Sequence, residues 1–260
     1  MQWEIQRERH FEYVEAGQND KPTLLLLHGL FGALSNWQDV IQTFSPNYRV
    51  IIPLLPIYKA SEVQPSVEGL AGYVLDFIRH KGLKEYSVIG NSLGGQIGLL
   101  VVLANPKAVQ TLTLTGSSGL FESGMGSTFP RRGDYSYVKE RVEFTFYSPE
   151  TADKLLIDEV YDIVNDSHKA IRIIKVARAA QRLNMRADIQ KINLPTCLIW
   201  GLNDTITPTY VAHEFRRLIP ASRLHFIDRC GHAPMMEQPQ RFNFLLQRFL
   251  NAYYEPVNVS

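Results

Sequence analysis

The chain has 260 residues, of which 45% are apolar and 20% charged, and this is the composition of a globular protein with a sizeable hydrophobic core. Its net charge of +1 gives no reason to expect nucleic acid or an anionic membrane as a partner. The N-terminal segment is charged throughout, the apolar runs are too short to span a bilayer, and two cysteines make no disulfide framework, so we expect a cytoplasmic protein.

Strand and helix signals alternate in the first half of the chain, as they do in chains that form parallel α/β sheets. Residues 3–17 predict two short strands. Continuous apolar runs, typical of strands buried on both faces, predict further strands at 22–29 and 48–56, and strands are also predicted at 85–90 and 109–117. Apolar residues at helical spacing predict a helix within residues 67–83 that ends at Gly82. They predict a second helix within residues 94–106 that stops before Pro106.

A helical segment interrupts this alternation after residue 117. Three helices without an intervening strand are predicted at 134–147, 148–165 and 167–184, the second beginning at Ser148 and Pro149. The alternation then returns, with strands at 195–201 and 222–228 and helices at 208–220 and 238–254. We therefore predict a core formed by residues 1–117 and 189–260. Residues 118–188 are predicted to form a helical cap over the strand ends, where open α/β sheets bind ligands.

Residues 90–94 read Gly-Asn-Ser-Leu-Gly and fit the pattern G-x-S-x-G. A strand is predicted before this pattern and a helix after it, which is the context in which the central serine projects from a sharp turn. The glycines leave room for the strand and the helix to pack closely. The stretch is therefore either only a tight turn or a turn that presents Ser92 as a nucleophile.

A serine nucleophile needs a base, and the base needs a carboxylate that orients it. His232 is the best of the seven histidines, because it lies in a loop directly after the last predicted strand. Asp204 follows the strand at 195–201 and is the preferred carboxylate, while Asp228, four residues before His232, is its competitor. The order Ser92, Asp204, His232 is the one expected for a G-x-S-x-G nucleophile in such a sheet.

Acyl transfer also needs hydrogen-bond donors for the developing oxyanion. One donor is expected to be the backbone N–H of Leu93, the residue after the serine. The second is expected to be the N–H of Leu30, in the loop HGLFGAL, which leaves His28 as a structural residue of that loop. No cluster of Cys and His has the spacing of metal ligands, so we expect neither a metal nor an organic cofactor.

These motifs together resemble the α/β-hydrolase superfamily over nearly the whole chain. The resemblance implies an α/β-hydrolase fold, with a mostly parallel central sheet flanked by helices and a helical cap inserted after the sixth strand. It also implies a role for each residue singled out above: Ser92 as nucleophile, His232 as base, Asp204 as orienting acid, and Leu30 and Leu93 as the oxyanion hole.

Within this superfamily, GNSLGG, the cap and CGHAPMMEQP resemble the group of meta-cleavage-product C–C hydrolases and small carboxylesterases. The C–C hydrolases usually carry HGGGPG in the oxyanion loop and Trp after the catalytic His, whereas this chain has HGLFGA and Ala233. The resemblance therefore implies a serine hydrolase that acts on a small-molecule substrate, an apolar ester or thioester, through an acyl-enzyme on Ser92. A C–C bond hydrolase and a hydrolase-fold ligand receptor with slow turnover are the alternatives.

Overall fold

Eight strands form one sheet through the centre of the part of the chain that is described. The structure is a computed structural model that describes residues 3–32, 35–59, 63–123, 131 and 133–254. The strands are β1 (Gln6–Glu8), β2 (Phe11–Ala16), β3 (Thr23–Leu27), β4 (Arg49–Pro53), β5 (Tyr86–Asn91), β6 (Val109–Thr115), β7 (Thr196–Gly201) and β8 (Ser222–Ile227). Their order in the sheet is β1-β2-β4-β3-β5-β6-β7-β8.

Most neighbouring strands are parallel. The two antiparallel pairs are those that include β2, namely β1 with β2 and β2 with β4. The carboxyl ends of β3 to β8 therefore meet at one edge of the sheet. The loops that follow β3, β5, β7 and β8 carry the residues that the sequence analysis singled out, and this shared edge is what brings them together.

Helices cover both faces of the sheet and form the segment between β6 and β7. They are α1 (Gln38–Phe44), α2 (Val67–His80), α3 (Leu93–Ala104), α4 (Tyr135–Glu143), α5 (Lys154–Asn165), α6 (Ser167–Arg182), α7 (Arg186–Ile189), α8 (Thr209–Leu218), α9 (Pro234–Glu237) and α10 (Pro239–Tyr254). Within the described ranges, no helix combines the length and the apolar character that crossing a membrane requires.

The central strands are buried on both faces because successive side chains point to opposite sides of the sheet. Leu25 and Leu27 pack into the cluster that contains the apolar residues of α2 and α3. Leu24 and Leu26 pack into the other cluster, with those of α1 and α10. This double burial explains why β3 is an unbroken apolar run in the sequence.

The predicted fold class is confirmed, including the helical insertion after the sixth strand. Gly82 follows α2 with a φ of +62°, as the predicted helix end requires. The sequence analysis did not predict α1 or the short helix α9, each of which lies next to a strand-end loop.

The second helix of the insertion begins later than predicted. A single 3-10 turn at Pro149–Thr151 follows Ser148, whose side chain caps nothing. Helix α5 begins at Lys154 because the carboxylate of Asp153 accepts the N–H of Leu156 at 2.8 Å. The predicted helix start at Ser148 is therefore wrong. Residues 124–130 and 132 of the predicted cap lie outside the described residues, and its boundaries at 118 and 188 stay a prediction.

Polar side chains tie the inserted helices to the core. Arg172 of α6 donates hydrogen bonds to the carbonyls of Pro56, Ile57 and Val63. The side chain of Gln96 in α3 donates to the carbonyls of Ala180, at 3.2 Å, and Leu183, at 2.9 Å. The insertion also has a small apolar core of its own, formed by Val138, Val142, Ala152, Ile157, Val160 and Val164.

We expect Leu26→Ala to lower the free energy of unfolding by about 2–5 kcal/mol, because Leu26 is fully buried in the sheet and its truncation leaves a cavity. Leu155→Ala is the matched control, since that leucine is 79% exposed, and it should change stability by less than about 0.5 kcal/mol. Denaturant unfolding measures both. Equal losses in the two variants would contradict the assignment of the core.

Candidate active site

Ser92 lies in the sharp turn between β5 and α3, with φ of 54° and ψ of −121°. A non-glycine residue rarely adopts this conformation, and it persists only where the surroundings hold it. Here the N–H of Ser92 donates to the carbonyl of Thr115, and the carbonyl of Ser92 accepts the N–H of Ser118, both at 3.1 Å. Bonds to the end of β6 and to the loop after it therefore fix the turn.

Two of the neighbouring glycines are required because backbones approach each other closely. A Cβ added to Gly94 would lie 2.1 Å from the carbonyl oxygen of Leu27, at the end of β3. A Cβ added to Gly90 would lie 2.6 Å from the carbonyl oxygen of Gly94. The N-terminus of α3 therefore packs directly against the sheet, and the turn that carries Ser92 has no room to relax.

His232 and Asp204 are brought together, as the sequence analysis predicted. The Nδ1 atom of His232 lies 3.0 Å from Oδ2 and 3.1 Å from Oδ1 of Asp204. Both side chains are buried, with 11% and 0% of their surface exposed. The carboxylate therefore fixes the orientation of the imidazole and favours the tautomer with a proton on Nδ1.

The sequence directly after Asp204 holds its carboxylate in place. The N–H groups of Ile206 and Thr207 donate to Oδ1 at 2.9 and 2.8 Å, and the hydroxyl of Thr207 donates to Oδ2 at 2.7 Å. Asp side chains commonly bond the backbone two and three residues ahead in this way. The ring N–H of Trp200 donates to the carbonyl of Thr207 at 2.7 Å and anchors the loop to β7.

Two backbone contacts position His232 relative to Ser92. Its N–H donates to the carbonyl of Thr145, after α4, at 2.9 Å. Its carbonyl accepts a hydrogen bond from the side chain of Asn91, the residue before Ser92, at 3.1 Å. The histidine loop is therefore bonded to the serine turn on one side and to the inserted helices on the other.

The charges around His232 raise its pKa above the ordinary value. Burial lowers the pKa, but the negative charge of Asp204 and its hydrogen bond to the ring raise it, and Glu122 adds a smaller upward contribution. The net direction is upward. The imidazolium form is therefore stabilised in this site, as a group that accepts a proton during a reaction requires.

Ser92, His232, Leu30 and Leu93 line one cavity of about 450 Å³. Its remaining wall is largely apolar and comes from the inserted helices: Val138, Val142, Leu156, Val160, Val164, Ile173 and Ile174. The backbone of Leu30 is also held in place, because its carbonyl accepts a hydrogen bond from the hydroxyl of Tyr58. The cavity is large enough for a small organic molecule.

Glu122 is a cavity residue that the sequence reasoning missed. Its carboxylate accepts a hydrogen bond from Ser118. Burial raises the pKa of Glu122, although that hydrogen bond and the charge of His232 act in the opposite direction. Because Glu122 lies in a segment without a regular pattern, nothing in the sequence distinguished it from a surface glutamate.

The competing candidates lie elsewhere or have other roles. Asp228 is exposed after β8, so Asp204 holds the position beside His232. His28 is buried, with Nε2 accepting the N–H of Leu55 at 3.0 Å and Nδ1 donating to the carbonyl of Gly29 at 2.8 Å. Burial lowers the pKa of His28 to about 4, so this histidine is neutral and structural.

The described residues contain no group of three or more His, Cys, Asp or Glu side chains that could hold a metal ion.

The sheet order, the serine turn after β5 and the helices inserted after β6 define an α/β-hydrolase architecture. A family model described as alpha/beta hydrolase fold matches residues 22–170, more than half of the chain. The chain therefore belongs to the α/β-hydrolase fold family, and it is a hydrolase.

Three similar proteins place the chain within this family. It is 26% identical to a pimeloyl-[acyl-carrier protein] methyl ester esterase of Nitrosomonas europaea, over 85% of this chain and 92% of the relative. It is 29% identical to a 2-hydroxy-6-oxo-6-(2'-aminophenyl)hexa-2,4-dienoic acid hydrolase of Metapseudomonas resinovorans, over 92% and 87%. The crystal structure of MGS-MChE2, an α/β-hydrolase enzyme from a lagoon-sediment metagenome, is 38% identical and superposes with a TM-score of 0.77, covering 95% and 98% of the two chains.

We expect Glu122→Gln to lower the pKa of His232, because it removes one of the negative charges that stabilise the imidazolium. NMR titration of the His232 ring measures the shift. Asp228→Asn is the matched control, since Asp228 is exposed, and should leave the pKa of His232 unchanged. An equal shift in both variants would show that general surface charge, not the cavity carboxylate, sets the pKa.

Proposed function

We propose that the protein is a serine hydrolase that cleaves a small carboxylic ester or thioester with a mainly apolar body, through an acyl-enzyme on Ser92. The observation that carries this proposal is the buried His232–Asp204 pair, which shares its cavity with a serine held in a strained turn. An imidazole oriented by a carboxylate, beside a projecting hydroxyl, is the arrangement that activates a serine nucleophile.

In the proposed first step, the Ser92 hydroxyl attacks the carbonyl carbon of the ester and His232 Nε2 takes its proton. Asp204 holds the ring by its Nδ1 proton and stabilises the imidazolium that forms. The tetrahedral intermediate then collapses, His232 gives the proton to the leaving alcohol, and the acyl group stays on Ser92. The upward shift of the His232 pKa suits a base that must hold a proton during this step.

We assign the oxyanion to the backbone N–H groups of Leu93 and Leu30. Leu93 is the first residue of α3, so its N–H is one of the unpaired donors at a helix N-terminus. Both residues line the cavity beside Ser92. Water, activated by His232, would then hydrolyse the acyl-enzyme and free the carboxylic acid.

The cavity wall supports a mainly apolar substrate body, because aliphatic side chains of α4, α5 and α6 form one side of it. One relative is named as the hydrolase of a small dienoic acid, which favours a small-molecule substrate for this chain, and the other as the esterase of a pimeloyl methyl ester carried by an acyl-carrier protein. The cytoplasmic location, and the division into a core and a cap formed by residues 118–188, stay predictions.

A C–C bond hydrolase is the second candidate. The relative from Metapseudomonas resinovorans, whose name describes a hydrolase of a dienoic acid, favours it. The loop HGLFGA and Ala233 favour the esterase, because the resemblance to C–C hydrolases would call for glycines and a tryptophan at these places. Parallel assays of a meta-cleavage product and of simple esters distinguish the two activities. A hydrolase-fold receptor is distinguished by slow turnover with a persistent covalent adduct.

We expect Ser92→Ala to lower the hydrolysis of a short-chain 4-nitrophenyl ester by at least about 10³-fold, because no nucleophile remains. Ser87→Ala is the matched control, since Ser87 is a buried serine of β5, the strand before Ser92, and its hydroxyl bonds Thr111 and Tyr254 away from the cavity. It should keep its activity. Turnover of the Ser92 variant within tenfold of the wild type would rule out the proposed nucleophile.

We also expect kcat/KM to rise with pH, with an apparent pKa above 6.5. His232 must be neutral to act as base, and its surroundings raise its pKa, so activity is lost as pH falls through the raised value. Asp204→Asn should lower this apparent pKa and reduce the rate by about 10⁴-fold. Asp228→Asn should leave the profile unchanged, and a flat wild-type profile between pH 5 and 8 would exclude His232 as the base.

A further inference from the structure

Two arginines of the inserted helices line the cavity. Arg141 comes from α4 and Arg178 from α6. Among the described residues, neither guanidinium forms an ion pair, and the buried Nε of Arg141 has no hydrogen-bond acceptor. A buried donor without an acceptor is costly and uncommon in a folded protein, so Arg141 Nε calls for an explanation.

Two other arginines of the same helical segment bond other groups. Arg172 bonds three backbone carbonyls, and Arg186 forms an ion pair with Glu214. Arg141 differs from both, because its Nε is buried, has no acceptor and belongs to a side chain that lines the cavity.

Among the described residues, the carboxylates of α4 form no ion pair with Arg141. Glu143, on the same helix, pairs with Lys139. Glu140 lines a different groove and is exposed. The stretch 124–130, which the structure does not describe, contains neither Asp nor Glu in its sequence. Glu122 is the acidic residue that lines the same cavity, and it bonds Ser118 and forms no described ion pair with Arg141, which leaves this guanidinium open to the carboxylate of a ligand.

Helix α4 holds Arg141 close to the reacting groups. Arg141 precedes Thr145 by four residues, and the carbonyl of Thr145, in the turn after α4, accepts the N–H of His232 at 2.9 Å. The guanidinium of Arg141 lies 5.1 Å from the centre of the Tyr137 ring, which helps to hold it. The cation is therefore fixed in the same cavity as Ser92.

We propose that Arg141, assisted by Arg178, binds a carboxylate of the substrate, so that the substrate is an ester whose apolar body ends in a carboxylate. This inference rests on the proposed function and names the substrate class of the same site. The planar guanidinium offers paired N–H donors that match a carboxylate, and the bound anion would satisfy the orphaned Nε. Glu122, whose charge acts on His232, disfavours a second negative group at the reacting end. The two signs of charge thus orient the substrate, with its carboxylate toward Arg141 and its ester toward Ser92.

The test compares esters that differ only in charge. We expect the wild type to prefer 4-nitrophenyl hydrogen adipate over 4-nitrophenyl hexanoate in kcat/KM. Arg141→Met keeps the aliphatic stem and should lower kcat/KM for the adipate ester about 10-fold or more, while changing that for the hexanoate ester less than threefold. A second pair of esters, 4-carboxyphenyl hexanoate and phenyl hexanoate, places the carboxylate on the alcohol part instead. Comparing the charge preference in the two pairs shows whether the site recognises a carboxylate on the acyl side or on the alcohol side of the ester.

Two further variants separate charge recognition from structure. Arg141→Lys keeps the charge and should recover part of the preference. Arg248→Met is the matched control, because Arg248 also lies over an aromatic ring, that of Phe244, but on the exposed surface of α10. It should leave both esters unaffected. The proposal is overturned if the wild type shows no charge preference in either pair, or if Arg141→Met affects both members equally.

A binding experiment keeps this inference separate from the proposed catalysis. Calorimetric titration of Ser92→Ala with the monoamide of adipate, which carries one carboxylate, and with uncharged adipamide needs no turnover. We expect the monoamide to bind about 10-fold more tightly, with an affinity that weakens as salt rises, and Arg141→Met in the same background to abolish the difference. Equal binding of the two ligands refutes the carboxylate site, whereas the absence of any ester hydrolysis with selective binding of the monoamide refutes only the proposed reaction.

Discussion

The close packing of α3 against the end of β3 is the constraint on which the site depends. A Cβ at Gly94 would lie 2.1 Å from the carbonyl oxygen of Leu27, so the helix begins where only a glycine fits. This approach leaves the chain one residue in which to reverse from strand to helix, and Ser92 takes the positive φ that the reversal requires. The tight packing of the core thereby fixes the position of the Ser92 hydroxyl group, which lines the cavity.

The other side of the site depends on the inserted helices as much as on the sheet. Asp204 is fixed by its own loop, through the N–H groups of Ile206 and Thr207, and needs no help from the insertion. His232, by contrast, is bonded to the carbonyl of Thr145 beyond α4. The same helix carries Arg141. A movement of α4 would therefore displace both the proposed base and the proposed carboxylate site, and this links substrate binding to the geometry of the reacting groups.

The sequence predicted central strands such as β3 and β4 because each is a short apolar run, and it predicted the pairing of His232 with Asp204 because each follows a strand of a parallel sheet. It failed at α5, where Asp153 is a better cap than Ser148, and it did not find α1 or α9. The residue that caps a helix is the one whose side chain reaches a free backbone N–H in the first turn, and local propensity alone does not decide which residue that is.

By itself, the sequence determined the fold class, the turn that carries Ser92, and the identities of its two candidate partners. Each of these follows from a local pattern, because strand periodicity, glycine spacing and the order of the residues can be read directly from the sequence. Only the tertiary structure decided which charges share the cavity. Glu122, Arg141 and Arg178 lie on three separate segments, and no spacing in the sequence relates them. They line one cavity because the inserted helices pack over the strand ends of the sheet, and only the folded chain brings these segments together.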